Sequence, residues 1–176
     1  TRNMPPIRRI LVANRGEIAL RVIRTAQEMG IETVAVYSDA DRTALHVRRA
    51  SRAVHLGGNK PSESYLDIEK VVAAARSTGC DALHPGYGFL SENEDAAQAC
   101  IDAGIEFLGP NPRAILLMGD KVEARKIAMK AGVPLVPGLQ EEVDEAHLVA
   151  AAKQVGYPVM LKAAAGGGGH HRAGCI

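Results

Sequence analysis

Near the end of the chain four consecutive glycines follow a lysine and three alanines, Lys162-Ala163-Ala164-Ala165-Gly166-Gly167-Gly168-Gly169. Glycine offers no side chain to pack and loses more backbone entropy on folding than any other residue, so such a run needs a reason. One reason is close approach, because successive unobstructed N–H groups form a concavity that binds anions, phosphate above all. Lys162 would then bring a positive charge to a phosphoryl oxygen. The other reason is a flexible linker, although the run follows directly on the strand-like Tyr157-Pro158-Val159-Met160-Leu161. The Gly-Lys-Ser/Thr ending of a Walker loop is missing. A second lysine, Lys121, follows Met118-Gly119-Asp120 at a predicted helix start. There it opposes the helix dipole, and spacing by itself reads it as solvated.

Two further stretches have the composition of ligand loops. His84-Pro85-Gly86-Tyr87-Gly88-Phe89-Leu90-Ser91-Glu92-Asn93 leaves the carboxyl end of a predicted strand, the edge at which open parallel sheets place their sites. It is either a rigid Pro/Gly turn or a site wall, and Ser91 with Glu94 reads as the capping box of the next helix. After the first predicted strand stands Ala13-Asn14-Arg15-Gly16-Glu17. Its single glycine is not the Gly-x-Gly-x-x-Gly of a dinucleotide site. Asn14 is placed to end the strand and cap the helix, Gly16 to allow a tight turn, and Arg15 to serve at the surface, in an ion pair or at an interface. His170, His171 and Cys175 at the terminus lack a second shell and read as a tail, with no metal site expected.

Short β-branched runs alternate with amphipathic stretches. Strands are predicted over 7–13, 31–37, 53–56, 81–83 and 105–108. Helices are predicted over 17–29, 67–76 and 92–103, the first burying Ile18, Val22, Ala26 and Met29. Alternation of this kind means a mostly parallel sheet in an α/β fold, Rossmann-like over residues 1–112. Gly109-Pro110-Asn111-Pro112 punctuates the pattern, and a second domain is expected over 113–176. It carries helices over 114–118, 121–130 and 141–155 and a strand over 157–161.

Composition bounds the function. With 47% hydrophobic and 23% charged residues and a net charge of +1, the chain has no electrostatic case for nucleic acid or an anionic membrane. No apolar run is long enough to span a bilayer. The three cysteines, Cys80, Cys100 and Cys175, read as small core residues in a reducing compartment.

Taken together, ILVANRGEIALRVIRTAQEMGIETVAVYSDAD, KPSESYLDIEKVV, HPGYGFLSEN, FLGP, MGDKVEARKIAMKAGVP and YPVMLKAAAGGGG resemble biotin carboxylase. That family is the subunit or domain shared by pyruvate carboxylase and the acyl-CoA carboxylases of fatty acid metabolism. The resemblance runs collinearly over almost the whole chain. It implies a ligase with a Rossmann-like front domain followed by an ATP-grasp fold, the latter incomplete here. Such enzymes use magnesium ATP and bicarbonate to form carboxyphosphate and then carboxylate biotin on a carrier protein. By motif position Lys121 and Lys162 match the two lysines that contact ATP, and Gly166, Gly167, Gly168 and Gly169 match the loop that closes over the phosphates. The implied partners are a biotin carboxyl carrier protein or domain, a carboxyltransferase and a second copy of the chain. The implied location is the cytoplasm, or the mitochondrial matrix of a eukaryote.

Two departures qualify the resemblance. His170 and His171 stand where the family has a basic residue and a glycine, followed by Met-Arg. The magnesium-binding acids, the bicarbonate-binding arginine and the catalytic base of the family fall beyond the matched motifs. No catalytic residue is therefore expected among these 176 residues, which by themselves are expected to be inactive. The alternative is a non-catalytic folding and assembly module of a carboxylase complex. Other ATP-grasp enzymes such as carbamoyl-phosphate synthetase share the architecture but not ANRGEIA with HPGYGFLSEN.

Overall fold

The computed structural model describes residues 6–136 and 143–159. It divides into two compact units, up to Ile115 and from Leu116 onward.

The first unit is a five-stranded parallel sheet. Its strands are β1 (Arg9–Val12), β2 (Glu32–Ser38), β3 (Arg52–Gly57), β4 (Ala82–His84) and β5 (Glu106–Phe107), in the order β3-β2-β1-β4-β5. Register follows the period-2 rule: β1 Leu11 pairs with Val34 on one side and Leu83 on the other. Side chains alternate between faces, so these three join one core with Val36, Val71, Ala74, Ala97 and Cys100. Ile10, Val12, Ala35 and Ala82 point the other way, onto Ala19, Ile23 and Ala26. Burial on both faces is why these strands read as continuous apolar runs.

The helices supply the two outer layers. Helix α1 (Gly16–Glu28) packs on one face and meets the short α2 (Leu45–Arg49). On the other face lie α3 (Ile68–Ser77) and α4 (Glu94–Asp102). The predicted stripe of α1 holds at Ala26 but is off by one position at Ile18 and Val22 and fails at Met29. Its buried residues are Ala19, Ile23 and Ala26, whereas Met29 is 69% exposed. Ile18 and Val22 flank the stripe, because a 3.6-residue period gives an apolar face wider than one row, and small Ala19 is fully buried in the core on this face.

Cap chemistry corrects two expectations. Helix α4 starts at Glu94, and Asn93 is its cap, accepting from Ala96 N at 2.8 Å. Ser91 instead donates its backbone N–H to Gly88 O, so the Ser91–Glu94 capping box does not form. Nor does Asn14 cap α1: the cap position belongs to Arg15, without a side-chain bond. Short elements with no apolar period, α2 and the 3-10 turns at Asp39–Asp41 and Pro61–Glu63, were not foreseen in the sequence.

Helix α5 (Pro112–Gly119) begins in the first unit and ends in the second. In the second unit, α6 (Lys121–Lys130) is capped by Asp120, whose Oδ1 accepts from Val122 N and Glu123 N at 2.8 and 2.9 Å. The helix expected over 141–155 begins later, as a 3-10 turn at Glu145–His147 running into α7 (Leu148–Val155). Asp144 accepts from His147 N, which starts the turn there; residues 141 and 142 lie outside the described residues. Tyr157–Val159 form no strand, and the remainder of the strand expected over 157–161 lies outside the described residues.

Truncating fully buried Ile23 removes three carbons between α1 and the sheet and leaves a cavity. We expect Ile23→Ala to lose about 2–4 kcal/mol in urea unfolding. The exposed Met29→Ala on the same helix should stay within about 0.5 kcal/mol of the parent.

Candidate functional site

Strand β1 is central, and the chain leaves it toward β2 on one side while β4 joins on the other. The loops that follow β1 and β4 therefore diverge. In open parallel sheets this switch point, at the carboxyl ends of the strands, is where a crevice opens. Here the crevice holds about 420 Å³ and is lined by Asn14–Ile18 from one loop and Tyr87–Phe89 from the other. Both loops had been singled out by composition.

Asn14 ties the two together. It is fully buried, and its Nδ2 donates to the Pro85 and Tyr87 carbonyls at 2.8 and 3.1 Å. Carbonyls only accept, so the amide orientation is decided by its partners. Oδ1 accepts from Arg15 N at 2.9 Å, which holds the turn into α1. Gly86 wraps this amide so tightly that a Cβ there would lie 2.7 Å from Asn14 Nδ2 and 2.8 Å from Ile18 Cγ2. Gly86 and Gly88 have positive φ, and so does Phe89, at 44°, a conformation that strains a bulky residue. Tyr65 stacks on Phe89 at 5.3 Å, and the Tyr87 hydroxyl donates to Glu17 at 3.2 Å.

Arg15 forms an ion pair, one of the roles left open for it. Its Nε and Nη2 donate to Asp41 Oδ2 and Oδ1 at 2.6 and 2.7 Å. The Asp41 side chain is nearly buried whereas Arg15 is half-exposed. Tyr65 donates its hydroxyl to Asp41 Oδ2 at 2.6 Å and accepts from Ser38 N at 3.1 Å. The Arg15 bond, joined by that of Tyr65, draws the Asp41 pKa down to about 2. Burial, reinforced by Asp41, pushes the Tyr65 phenol up. Dinucleotide folds keep an acidic residue beyond their second strand for a ribose hydroxyl. In this chain Asp41, three residues beyond β2, is engaged by Arg15.

Histidines border the network. His46, buried on α2, has Nε2 3.2 Å from the Val36 carbonyl, so Nε2 carries the hydrogen, and Nδ1 has no partner among the described residues. Burial lowers its pKa. His84 Nδ1 accepts from Gly86 N at 3.0 Å, and burial likewise lowers its pKa. Cys80 and Cys100 are buried and free, as small core residues.

Of the residues assigned to ATP from the sequence, Lys121 opens α6 in the second unit, and its side chain lies outside the description. Lys162 and Gly166–Gly169 lie outside the described residues altogether. What sequence reasoning missed is the contact set of Asn14 and the roles of Asp41 and Tyr65. Apart from the adjacent Arg15 N, these partners stand 24 to 73 positions apart, and no local period announces them.

The Arg15–Asp41 pair sets a pH dependence. The folded pKa of Asp41 is lowered, so its contribution is complete above its unfolded value of about 4 and fades as pH falls toward 2. Asp41→Asn should cost about 1–3 kcal/mol at neutral pH by urea unfolding. The difference between variant and parent should narrow below about pH 4; a gap independent of pH would contradict the pairing.

Comparison with known proteins accounts for both units. The biotin carboxylase N-terminal domain model matches residues 6–115. The ATP binding domain model of the carbamoyl-phosphate synthase L chain matches 120–173. The propionyl-CoA carboxylase alpha chain of Ruegeria pomeroyi is 57% identical over 160 residues, covering 89% of this chain and 23% of that one. Biotin carboxylase 2 of Bacillus subtilis is 52% identical over 158 residues, 89% of this chain and 36% of the relative. The chain thus spans 23% and 36% of the lengths of these two relatives. Among solved structures, the Campylobacter jejuni biotin carboxylase in complex with β-γ-ATP superposes with a TM-score of 0.88 at 48% identity, covering 93% of this chain and 37% of that one. A family model matched by most of the chain, over a sheet whose switch-point loops carry the shared motifs, leads to one assignment: the chain belongs to the biotin carboxylase family, through its N-terminal domain.

Proposed function

We propose that the chain is the front part of an ATP-dependent biotin carboxylase, which carboxylates carrier-bound biotin with bicarbonate by way of carboxyphosphate. The observation that carries this reading is the collinear match of both units, front domain and ATP-binding segment, to one kind of enzyme. ATP supplies the phosphoryl group that activates bicarbonate. Within this chain Lys121 and Lys162 neutralise phosphate oxygens, and the N–H groups of Gly166–Gly169 close over them. Closure of that kind keeps water from a labile mixed anhydride. Placement of Lys121 at the start of α6, behind the Asp120 cap, supports a fixed base for the first lysine. Among the described residues no group of acids is placed to hold magnesium, and this reading assigns its ligands to the part of the enzyme beyond the matched motifs.

The same reading divides the chain into a front domain over 1–112 and the start of an ATP-grasp domain over 113–176, with the two compact units as support. It assigns as partners a biotin carboxyl carrier and a carboxyltransferase, consistent with relatives named for acyl-CoA carboxylases, and a second copy of the chain. No helix among the described residues is long and apolar enough to cross a membrane. We assign the protein to the cytoplasm, or to the mitochondrial matrix of a eukaryote, where free thiols persist.

Calorimetry with magnesium ATP tests the nucleotide half of the proposal. Binding should be measurable in the parent chain and at least about tenfold weaker in Lys162→Ala and in Lys121→Ala, the loss of one charge-assisted phosphate contact. No binding together with a stable dimer would favour the assembly-module reading instead.

Assays with free biotin, bicarbonate and magnesium ATP test the other half. The 176 residues alone should release phosphate no faster than the uncatalysed background. Robust turnover would overturn the assignment of the chemistry to residues beyond those matched here.

A further inference from the structure

We propose that Asn14 is a positioning residue: its side-chain amide sets the direction of the Tyr87–Gly88 peptide and so presents the Gly88 N–H as a donor to a substrate oxygen in the crevice. The inference rests on the carboxylase reading for the identity of the substrates, but its geometry stands by itself.

A trans peptide is planar, with its C=O and N–H pointing in opposite directions. The Tyr87 carbonyl is held by Asn14 Nδ2 at 3.1 Å, which turns the Gly88 N–H away from Asn14. That N–H has no acceptor among the described residues. Gly88 lines the crevice, and the space beside it is open, with nothing within 4 Å of the place a Cβ would take. A donor left without a partner at the wall of a crevice is available to a ligand's acceptor atom.

The loop does not hold this conformation unaided. Gly86, Gly88 and Phe89 all have positive φ, and the backbone bonds of the segment, Ser91 N to Gly88 O and Asn93 N to Leu90 O, leave the Pro85 and Tyr87 carbonyls to Asn14. Asn14 grips two alternate carbonyls, Pro85 and Tyr87, so a change of one atom at Asn14 acts on both peptides. Aspartate is nearly isosteric but has no donor, and its oxygen would face two carbonyl oxygens. The peptide's direction therefore depends on the amide rather than on the shape of the side chain.

The test uses the parent chain and nitrogen-15 NMR, with free biotin as probe. In the parent, the Gly88 amide resonance should move the most among the loop amides on titration. Asn14→Asp should weaken biotin at least tenfold while leaving the affinity for magnesium ATP unchanged, and Asn14→Ser, which keeps one O–H donor, should recover part of the loss. If Asn14→Asp does not fold, Gly86→Ala makes the same test by crowding Asn14 Nδ2 from the loop side. A Gly88 resonance that stays put through the titration, or biotin affinity unchanged in whichever of these variants is folded, overturns the inference. Loss of magnesium ATP binding in the parent would instead sink the carboxylase reading, whatever Gly88 does.

Discussion

Strand β1 is paired on both sides, to β2 and to β4 in parallel register, and the rest of the first unit depends on that double pairing. The strand can be central only if it is apolar on both faces, which Ile10, Leu11 and Val12 supply. Once it is central, the chain must leave it in one direction and return on the other side. The crevice is the gap this leaves at the carboxyl edge. A charged residue at Leu11 would have no face to turn to, because both layers of helices cover the sheet.

The same edge carries a buried polar network. Asp41, Tyr65 and the Ser38 N–H form a buried chain that ends on the Arg15 guanidinium. Each group is satisfied, which is what makes such a network tolerable in a dry interior. It links the turn after β1 to the segment after β2, and through the Tyr65–Phe89 stack to the loop after β4. Three loops that share no local sequence are thereby held in one arrangement. The sheet places them at one edge; the polar contacts settle their shape.

Much of this was legible in advance. The β-branched runs and apolar periods located all five strands and the principal helices of the first unit, since burial on two faces leaves a compositional trace. The two crevice loops stood out through Pro, Gly and aromatic residues. Finer features went wrong where several residues compete for one task. Ser91 and Asn93 are both good caps, and it is the Asn93 side chain that accepts from Ala96 N. Asn14 was a plausible cap for α1, yet its side chain goes to Pro85 and Tyr87.

By itself the sequence determined the alternation of strands and helices, the parallel α/β class and, through its motifs, the family. These rest on short-range patterns, periods of 2 and 3.6 residues and strings of adjacent side chains, which a linear chain carries openly. Only the tertiary structure decided that Arg15 belongs to Asp41, that Tyr65 supports Phe89 and that Asn14 aims the Tyr87–Gly88 peptide. Each of these pairings joins residues 24 to 73 positions apart. Such partners meet because the sheet order brings their loops to one edge, and hydrogen-bond geometry then selects among the polar groups found there.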